Sequence, residues 1–355
     1  MYDSASAERY VRALCSEIAG WQEVESPTLI DTIYFGGGTP SLLSIDQIER
    51  ILTAVRNRFK VAEDSELTLE INPGDGGTRG DFFRDLRGLG INRASFGAQT
   101  FDDCELKMLG RTHGSSDIPE TFKQLRHAGF DNINFDLIAG LPGQTRAGWL
   151  RNLDQALELR PEHLSLYLLD VHEGTPLADQ IKRGMRRKPN DDLAAEMYAT
   201  MIEQVCASGY EHYEISNFCL PGFMSRHNSK YWTGAPYYGF GNSAHSYDGA
   251  RRRWANERHA AKYVELIDRG ESPIVERTEL TEADARSEAI FLGLRLMRGI
   301  DLQSYELRFG RNLREEFNGE LDRLREAGLI EFDEELLKLT TRGALLSNEV
   351  FAALT

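Results

Sequence analysis

Tyr34-Phe-Gly-Gly-Gly-Thr-Pro-Ser41 continues the apolar, β-branched run Leu29 to Phe35 without a break. A strand that enters three glycines offers bare backbone at its C-terminal end, where N–H and C=O groups can approach a ligand closely. Upstream, Tyr10, Val11, Leu14 and Ile18 share one face of a helix that Ser6 is expected to cap. Downstream, Ser44 with Gln47 forms a capping box ahead of Ile48, Ile51, Leu52, Val55 and Phe59 at helical spacing.

The unit then repeats. Leu67 to Ile71 reads as a strand ended by Asn72-Pro73-Gly74, followed by a helix through Phe83, Leu86 and Leu89. Arg93 to Phe96, Asn132 to Ile138 and His163 to Leu169 are further strands, each separated from the next by a helical pattern. Strands that alternate with helices through short loops predict parallel βα units. After Pro176 the rhythm breaks: Asn190 caps a long helix, Tyr213 to Asn217 is a short strand, and residues 219–256 are rich in aromatic residues and glycine. The segment Leu321 to Phe332, followed by Leu336 to Thr340, reads as helix, turn and two short strands. Three parts follow: a βα barrel core over 1–175, a barrel extension over 176–279 and a helical, winged-helix-like module over 280–355.

Composition narrows the function. A formal charge of −15 over 355 residues disfavours nucleic acid, whose phosphates need a concentrated basic face. The run Arg251-Arg252-Arg253 is too short to change that. No apolar run approaches the roughly 20 residues that span a bilayer, and the four cysteines Cys15, Cys104, Cys206 and Cys219 are too scattered for a disulfide framework. A cytoplasmic location is expected.

In parallel βα barrels the working groups project from the C-terminal strand ends. Here successive ends offer Gly37, Gly38 and Thr39, then Glu70, then Gln99 with Arg111 in the loop beyond, then Asp136, and last Asp170. Glu70 and Asp136 can accept hydrogen bonds from ribose hydroxyls or an ammonium group, and Arg111 can pair with a carboxylate. A cap or a plain turn explains any one of these alone. The series suits a zwitterionic nucleoside better than a phosphate.

These residues carry a resemblance. YFGGGTPS (34–41), LEINPG (69–74), SFGAQTFD (95–102), LGRTH (109–113), NFDLIAGLPGQT (134–145) and LSLYLLDVHEGTPL (164–177) resemble the radical S-adenosylmethionine (SAM) group that contains anaerobic coproporphyrinogen III dehydrogenase and the heme chaperone HemW. The likeness runs from about residue 7 to the C-terminus. It implies an α/β fold: an incomplete parallel (β/α)6-type partial TIM barrel with a winged-helix-like C-terminal module. It also implies that Gly37, Gly38 and Thr39 hold the methionine end of SAM, while Glu70, Gln99, Arg111, Asp136 and Asp170 line the rest of the pocket.

Between the two members, residues 211–247 favour the chaperone. Tyr213 to Phe218 and His227-Asn-Ser-Lys-Tyr-Trp232 resemble its heme-associated HNxxYW element, which makes His227, Asn228, Tyr231 and Trp232 the candidate heme residues. An imidazole can bind ferric iron, and aromatic faces can hold a porphyrin. The same residues also fit a satisfied loop histidine beside interface aromatics, and His245 and Cys219 remain alternative ligands. Ser225 stands where many relatives place a cysteine.

The family's [4Fe–4S] cluster hangs on a Cys-x3-Cys-x2-Cys loop that cannot be drawn from the four cysteines, so no cluster ligand is assigned. In a βα barrel the first helix should also follow a strand, and here the sequence begins at that helix. The barrel is therefore expected to lack its first strand, and a start downstream of the natural one is favoured over a cluster-free relative. The resulting expectation is a protein that binds heme and SAM and passes heme to acceptor hemoproteins. A homodimer and radical catalysis are both left open. The rival readings are oxidative decarboxylation of coproporphyrinogen III and a cofactor-free docking protein on an eroded barrel.

Overall fold

The computed structural model describes residues 3–22, 29–74, 81–188 and 190–355. Helix α1 (Ser4–Ala19) is capped by Asp3, not Ser6. The Asp3 carboxylate accepts the Ala5 and Ser6 amides and the Ser6 hydroxyl, so Ser6 already lies inside the first turn. Four βα steps and a fifth strand follow: β1 (Leu29–Phe35), α2 (Ile45–Arg58), β2 (Lys60–Ile71), α3 (Phe82–Gly88), β3 (Arg93–Gln99), α4 (Asp103–Met108), α5 (Asp117–His127), β4 (Ile133–Ala139), α6 (Arg146–Leu159) and β5 (His163–Leu168). The Ser44–Gln47 capping box starts α2 as its sequence predicts.

After α7 (Pro176–Lys182) and α8 (Asp191–Ala207) comes a tight hairpin, β6 (Glu211–Glu214) and β7 (Asn217–Cys219), where one short strand was expected. Its turn falls at Ile215-Ser216, and the Glu214 carboxylate accepts the Ser216 amide and the Asn217 side chain. The sheet runs β1-β2-β3-β4-β5-β7-β6. Its first five strands are parallel and β7 joins β5 antiparallel. The sheet curls into a partial barrel.

Strand alternation sorts the two faces. Leu67, Leu69 and Ile71, Ala94, Phe96 and Ala98, Ile133, Phe135 and Leu137, and Leu164 and Leu166 point outward into one core with Leu52, Leu86, Leu125, Trp149 and Leu153 of the helices. The inner face is polar: Glu70 pairs in register with Ser95, Ser95 with Asn134, Asn134 with His163, and Asp136 with Ser165. Strand β1, despite its apolar run, is only partly buried, and Leu29 is exposed.

Beyond the barrel lie α9 (Arg226–Thr233), the strands β8 (His245–Tyr247) and β9 (Arg252–Asn256), α10 (Ala260–Asp268) and β10 (Ile274–Glu279), with β10-β9-β8 forming an antiparallel sheet. The buried Glu17 of α1 is tied to this region: its carboxylate accepts the Gly241 amide, the Asn256 amide group and the Tyr263 hydroxyl. The C-terminal module comprises α11 (Glu282–Arg295), β11 (Ile300–Asp301), α12 (Leu302–Phe309), α13 (Leu313–Glu316), α14 (Asn318–Glu326), β12 (Ile330–Phe332), β13 (Leu336–Leu339), α15 (Thr341–Leu345) and α16 (Ser347–Leu354). Its strands form an antiparallel sheet β11-β13-β12, the wing of a winged-helix-like arrangement. Among the described residues no helix is long and apolar enough to cross a membrane.

Candidate functional site at the barrel rim

The glycine turn after β1 is held by the next strand. Glu70 accepts the Tyr34 hydroxyl at 2.9 Å and the Gly37 amide at 3.2 Å. Gly36 has no room for a side chain, since a Cβ would lie 2.5 Å from the Tyr34 ring and 2.7 Å from the Glu70 carboxylate. Gly37 has φ +79° and, like Gly38, open space where a Cβ would project. The chain thus presents an exposed stretch of bare backbone, ended by Thr39 at the cap of a short 3-10 turn, Pro40–Leu42. That is a cradle that side chains would fill.

Gln99 ends β3 with φ +64°, a left-handed conformation unusual for a non-glycine residue, where the β3–β4 register shifts. This strained turn aims the amide back over Gly97, and a Cβ at Gly97 would also sit 3.8 Å from the Arg111 guanidinium. Gln99 and Arg111 thus both approach Gly97. Arg111 has no ion-pair partner among the described residues. Asp136 completes the group: its field reaches Glu70 and Tyr34, and Arg111 and Arg93 act on it in turn. Burial raises both carboxyls, and for Glu70 the Asp136 charge adds to the rise. Asp170 stands apart, exposed, with His172 as its near neighbour.

Two residues below Asp136 on the inner face, Asn134 organises a network that sequence reading missed. Its amide group donates to Asp136 and to Ser95, both at 2.8 Å. With both protons committed, its oxygen must accept, so His163 donates from Nδ1 at 2.6 Å and takes the Tyr213 hydroxyl at Nε2 at 2.7 Å. Burial holds His163 neutral, and the Arg93 charge pushes the same way. Arg93 is 1% exposed, with Nε and Nη1 unpartnered. The signal was available: Asn134 and His163 lie two residues before Asp136 and Ser165, on the same face of their strands.

Helix α9 packs against the edge strand. His227 stacks on Tyr34 with centroids 4.9 Å apart, contacts Thr32 Oγ1 through Nδ1 at 3.0 Å and the Tyr231 hydroxyl through Nε2 at 3.1 Å. Burial, with the Lys230 and Arg93 charges, lowers its pKa to about 4. Asn228 is half-buried in the first turn, where its backbone N–H donates to the Ser225 hydroxyl. Trp232 turns away from the barrel, under the Arg295 guanidinium at 4.4 Å. Rings then step outward from Tyr231 to Tyr237 at 4.7 Å and to Tyr247 at 6.3 Å. Of the alternative heme ligands, Cys219 is buried in β7 and His245 is exposed at the start of β8.

A profile described as the radical SAM superfamily matches residues 17–156, and one described as the HemN C-terminal domain matches residues 280–346. The chain is 36% identical over 351 residues to the heme chaperone HemW of Bacillus subtilis (strain 168), covering 99% of this chain and 92% of that protein. This chain belongs to the radical SAM superfamily, in the HemW group. It is 34% identical over 298 residues to the heme chaperone HemW of Escherichia coli (strain K12), covering 79% and 77% of the two chains. The solved structure of coproporphyrinogen III oxidase (HemN) from Escherichia coli, 24% identical, covers 100% of this chain and 84% of that one with a TM-score of 0.85. That likeness establishes the shared partial-barrel fold.

Radical SAM membership implies SAM and a [4Fe–4S] cluster. The open glycine cradle and the converging Glu70, Gln99, Arg111 and Asp136 fit the first. For the second, Cys15, Cys104, Cys206 and Cys219 lie on α1, α4, α8 and β7. Among the described residues no three His, Cys, Asp or Glu side chains are grouped to hold a metal.

Proposed function

We propose that this chain is a heme chaperone of the HemW type, which binds heme and SAM and passes heme to acceptor hemoproteins in the cytoplasm. The observation that carries this reading is the 36% identity to a named heme chaperone over 99% of the chain. In this reading the chain has the three parts given above, with the boundary near 280 supported by the start of the C-terminal profile match.

Gly37, Gly38 and Thr39 hold the methionyl end of SAM through backbone groups, and Arg111 pairs its carboxylate. Glu70 and Asp136 take its ammonium and ribose hydroxyls, Gln99 closes the side, and Asp170, exposed in the loop after β5, is the outermost member of the set. Bound SAM supplies an adenosyl group on a positively charged sulfur.

His227, Asn228, Tyr231 and Trp232 are the heme residues of this reading. The imidazole is held neutral, the form that binds iron, but a nitrogen becomes available only when its bond to Thr32 or Tyr231 opens. Hemin added to the purified chain is expected to give a saturable Soret change, and His227→Ala weakens it. Subsequent addition of an apo-hemoprotein should move the Soret signature to the acceptor. A wild-type spectrum indifferent to the chain removes the chaperone reading.

A further inference from the structure

Away from the barrel rim, a cleft of about 510 Å3 separates the end of α9 and the β8–β9 strands from the C-terminal module. The barrel side contributes Trp232, Tyr247 and Arg253, and the module contributes Arg298, Tyr305 and Arg308. Its volume lies in the range of small-molecule sites. Its chemistry is specific: aromatic rings for an apolar body and guanidinium groups for anions.

The charges decide what fits. Arg253 is committed to Glu288 at 2.7 Å, and the Asp301 carboxylate caps α12 by accepting the Ser304 amide at 2.6 Å. Arg298 and Arg308 are exposed and have no hydrogen-bond or ion-pair partner among the described residues. Arg253 balances Glu288, Asp301 stays ionised as a cap, and three arginines against two carboxylates leave the walls net positive in a chain whose net charge is −15.

Buried donors on the same walls are also unspent. The Tyr305 hydroxyl, the Trp232 Nε1–H and the Arg253 Nε–H have no partner, and Tyr305 is only 4% exposed. Each such group costs about 1–3 kcal/mol when left unmade. Trp232 is held in place by Arg295, which is itself paired with the buried Glu214. The aromatic wall is therefore built from fixed parts.

We propose that this cleft seats a carboxylate-bearing porphyrin, its macrocycle against Trp232 and its carboxylates on Arg298 and Arg308. The proposal rests on the heme-binding reading above and gives that site a different physical basis. Recognition comes from the flat face and the two anions, so iron is not required for binding. Trp232 belongs to both descriptions, because α9 turns His227 toward the barrel and Trp232 toward the cleft.

The test is titration of the full chain with hemin and with metal-free protoporphyrin IX, followed by absorbance and fluorescence, for the wild type and an Arg298→Gln/Arg308→Gln double variant. Both positions are exposed and without a hydrogen-bond or ion-pair partner among the described residues, Arg308 lying over the Phe309 ring at 4.9 Å, and the double variant is expected to leave thermal unfolding nearly unchanged. Both porphyrins should bind the wild type, and the double variant should bind each at least tenfold more weakly, about 1.4 kcal/mol. Protoporphyrin dimethyl ester should bind the wild type as weakly as the dicarboxylate binds the variant. Equal hemin affinity in both proteins overturns the cleft and leaves the chaperone reading standing. Hemin binding without protoporphyrin binding also overturns it, in favour of an iron ligand. A wild type that binds neither porphyrin overturns both.

Discussion

Tyr34 and His227 stack face to face, 4.9 Å between ring centroids and 22° between planes. That contact joins the two halves of the candidate chemistry. The Tyr34 hydroxyl holds Glu70 beside the glycine cradle, while His227 begins the HNxxYW helix. A disturbance at either ring is therefore transmitted to the other by direct contact.

The cradle is the first place to test. Gly36→Ala would push its methyl group into Tyr34 and Glu70 and displace both. Affinity for S-adenosylhomocysteine, measured by calorimetry, is expected to fall tenfold or more, about 1.4 kcal/mol. Gly38→Ala meets nothing within 4 Å, so its unfolding free energy should change by less than about 0.5 kcal/mol. A loss of ligand affinity in Gly38→Ala would then report backbone approach by the ligand. Unchanged affinity in both variants counts against the cradle.

The His227 environment sets a pH dependence. Its pKa in the fold is about 4 against an ordinary 6.5, so between those values the unfolded chain binds the extra proton. Its contribution is present above pH 6.5 and is lost as pH falls toward 4, by up to about 3 kcal/mol. His163 and His212 are lowered in the same direction and add to the slope, whereas the raised Glu17, Glu70 and Asp136 oppose it above their ordinary values. Denaturant unfolding of wild type and His227→Gln between pH 7.5 and 4.5 isolates the His227 share. The two curves should converge as pH falls, and parallel curves would contradict the buried neutral ring.

Asn134→Ala should act at a distance. It leaves His163 and Ser165 without their acceptor and releases Asp136. Stability should fall by about 2–3 kcal/mol, and S-adenosylhomocysteine binding should weaken although Asn134 is below the rim. Ligand affinity equal to wild type would mean that Asp136 does not depend on the network.

A buried charge pair helps to hold the module on the barrel. Glu214, fully buried, lies 2.6 Å from Arg295 in an ion pair too bent for a hydrogen bond, while Met297 and Ile215 link the same two segments through backbone bonds. Arg295→Met strands the carboxylate and is expected to cost about 3–5 kcal/mol in chemical denaturation. Adding Glu214→Gln should restore part of that loss. No recovery in the double variant would show that the cost lies in the packing around Trp232.

The alternation of strand and helix patterns determines the parallel strands, and the period of two within Leu67 to Ile71, Arg93 to Phe96 and Asn132 to Ile138 determines which residues face inward. Glu70, Gln99 and Asp136 could be assigned to one rim on that basis, because a strand end has a direction that its own residues reveal. Capping was less legible: Asp3 and Ser6 both suit a helix start, and only the hydrogen bonds choose between them. The chemistry of HNxxYW could be named from its letters, but its orientation could not. Whether His227 faces iron, solvent or Tyr34 depends on how a helix from residues 226–233 docks against a strand from residues 29–35. The cleft is harder still to foresee, since Trp232, Tyr247, Arg298 and Arg308 lie in four separate elements or turns. Local pattern encodes the path of each segment, whereas long-range packing decides which segments meet, and a binding cleft exists only where they do.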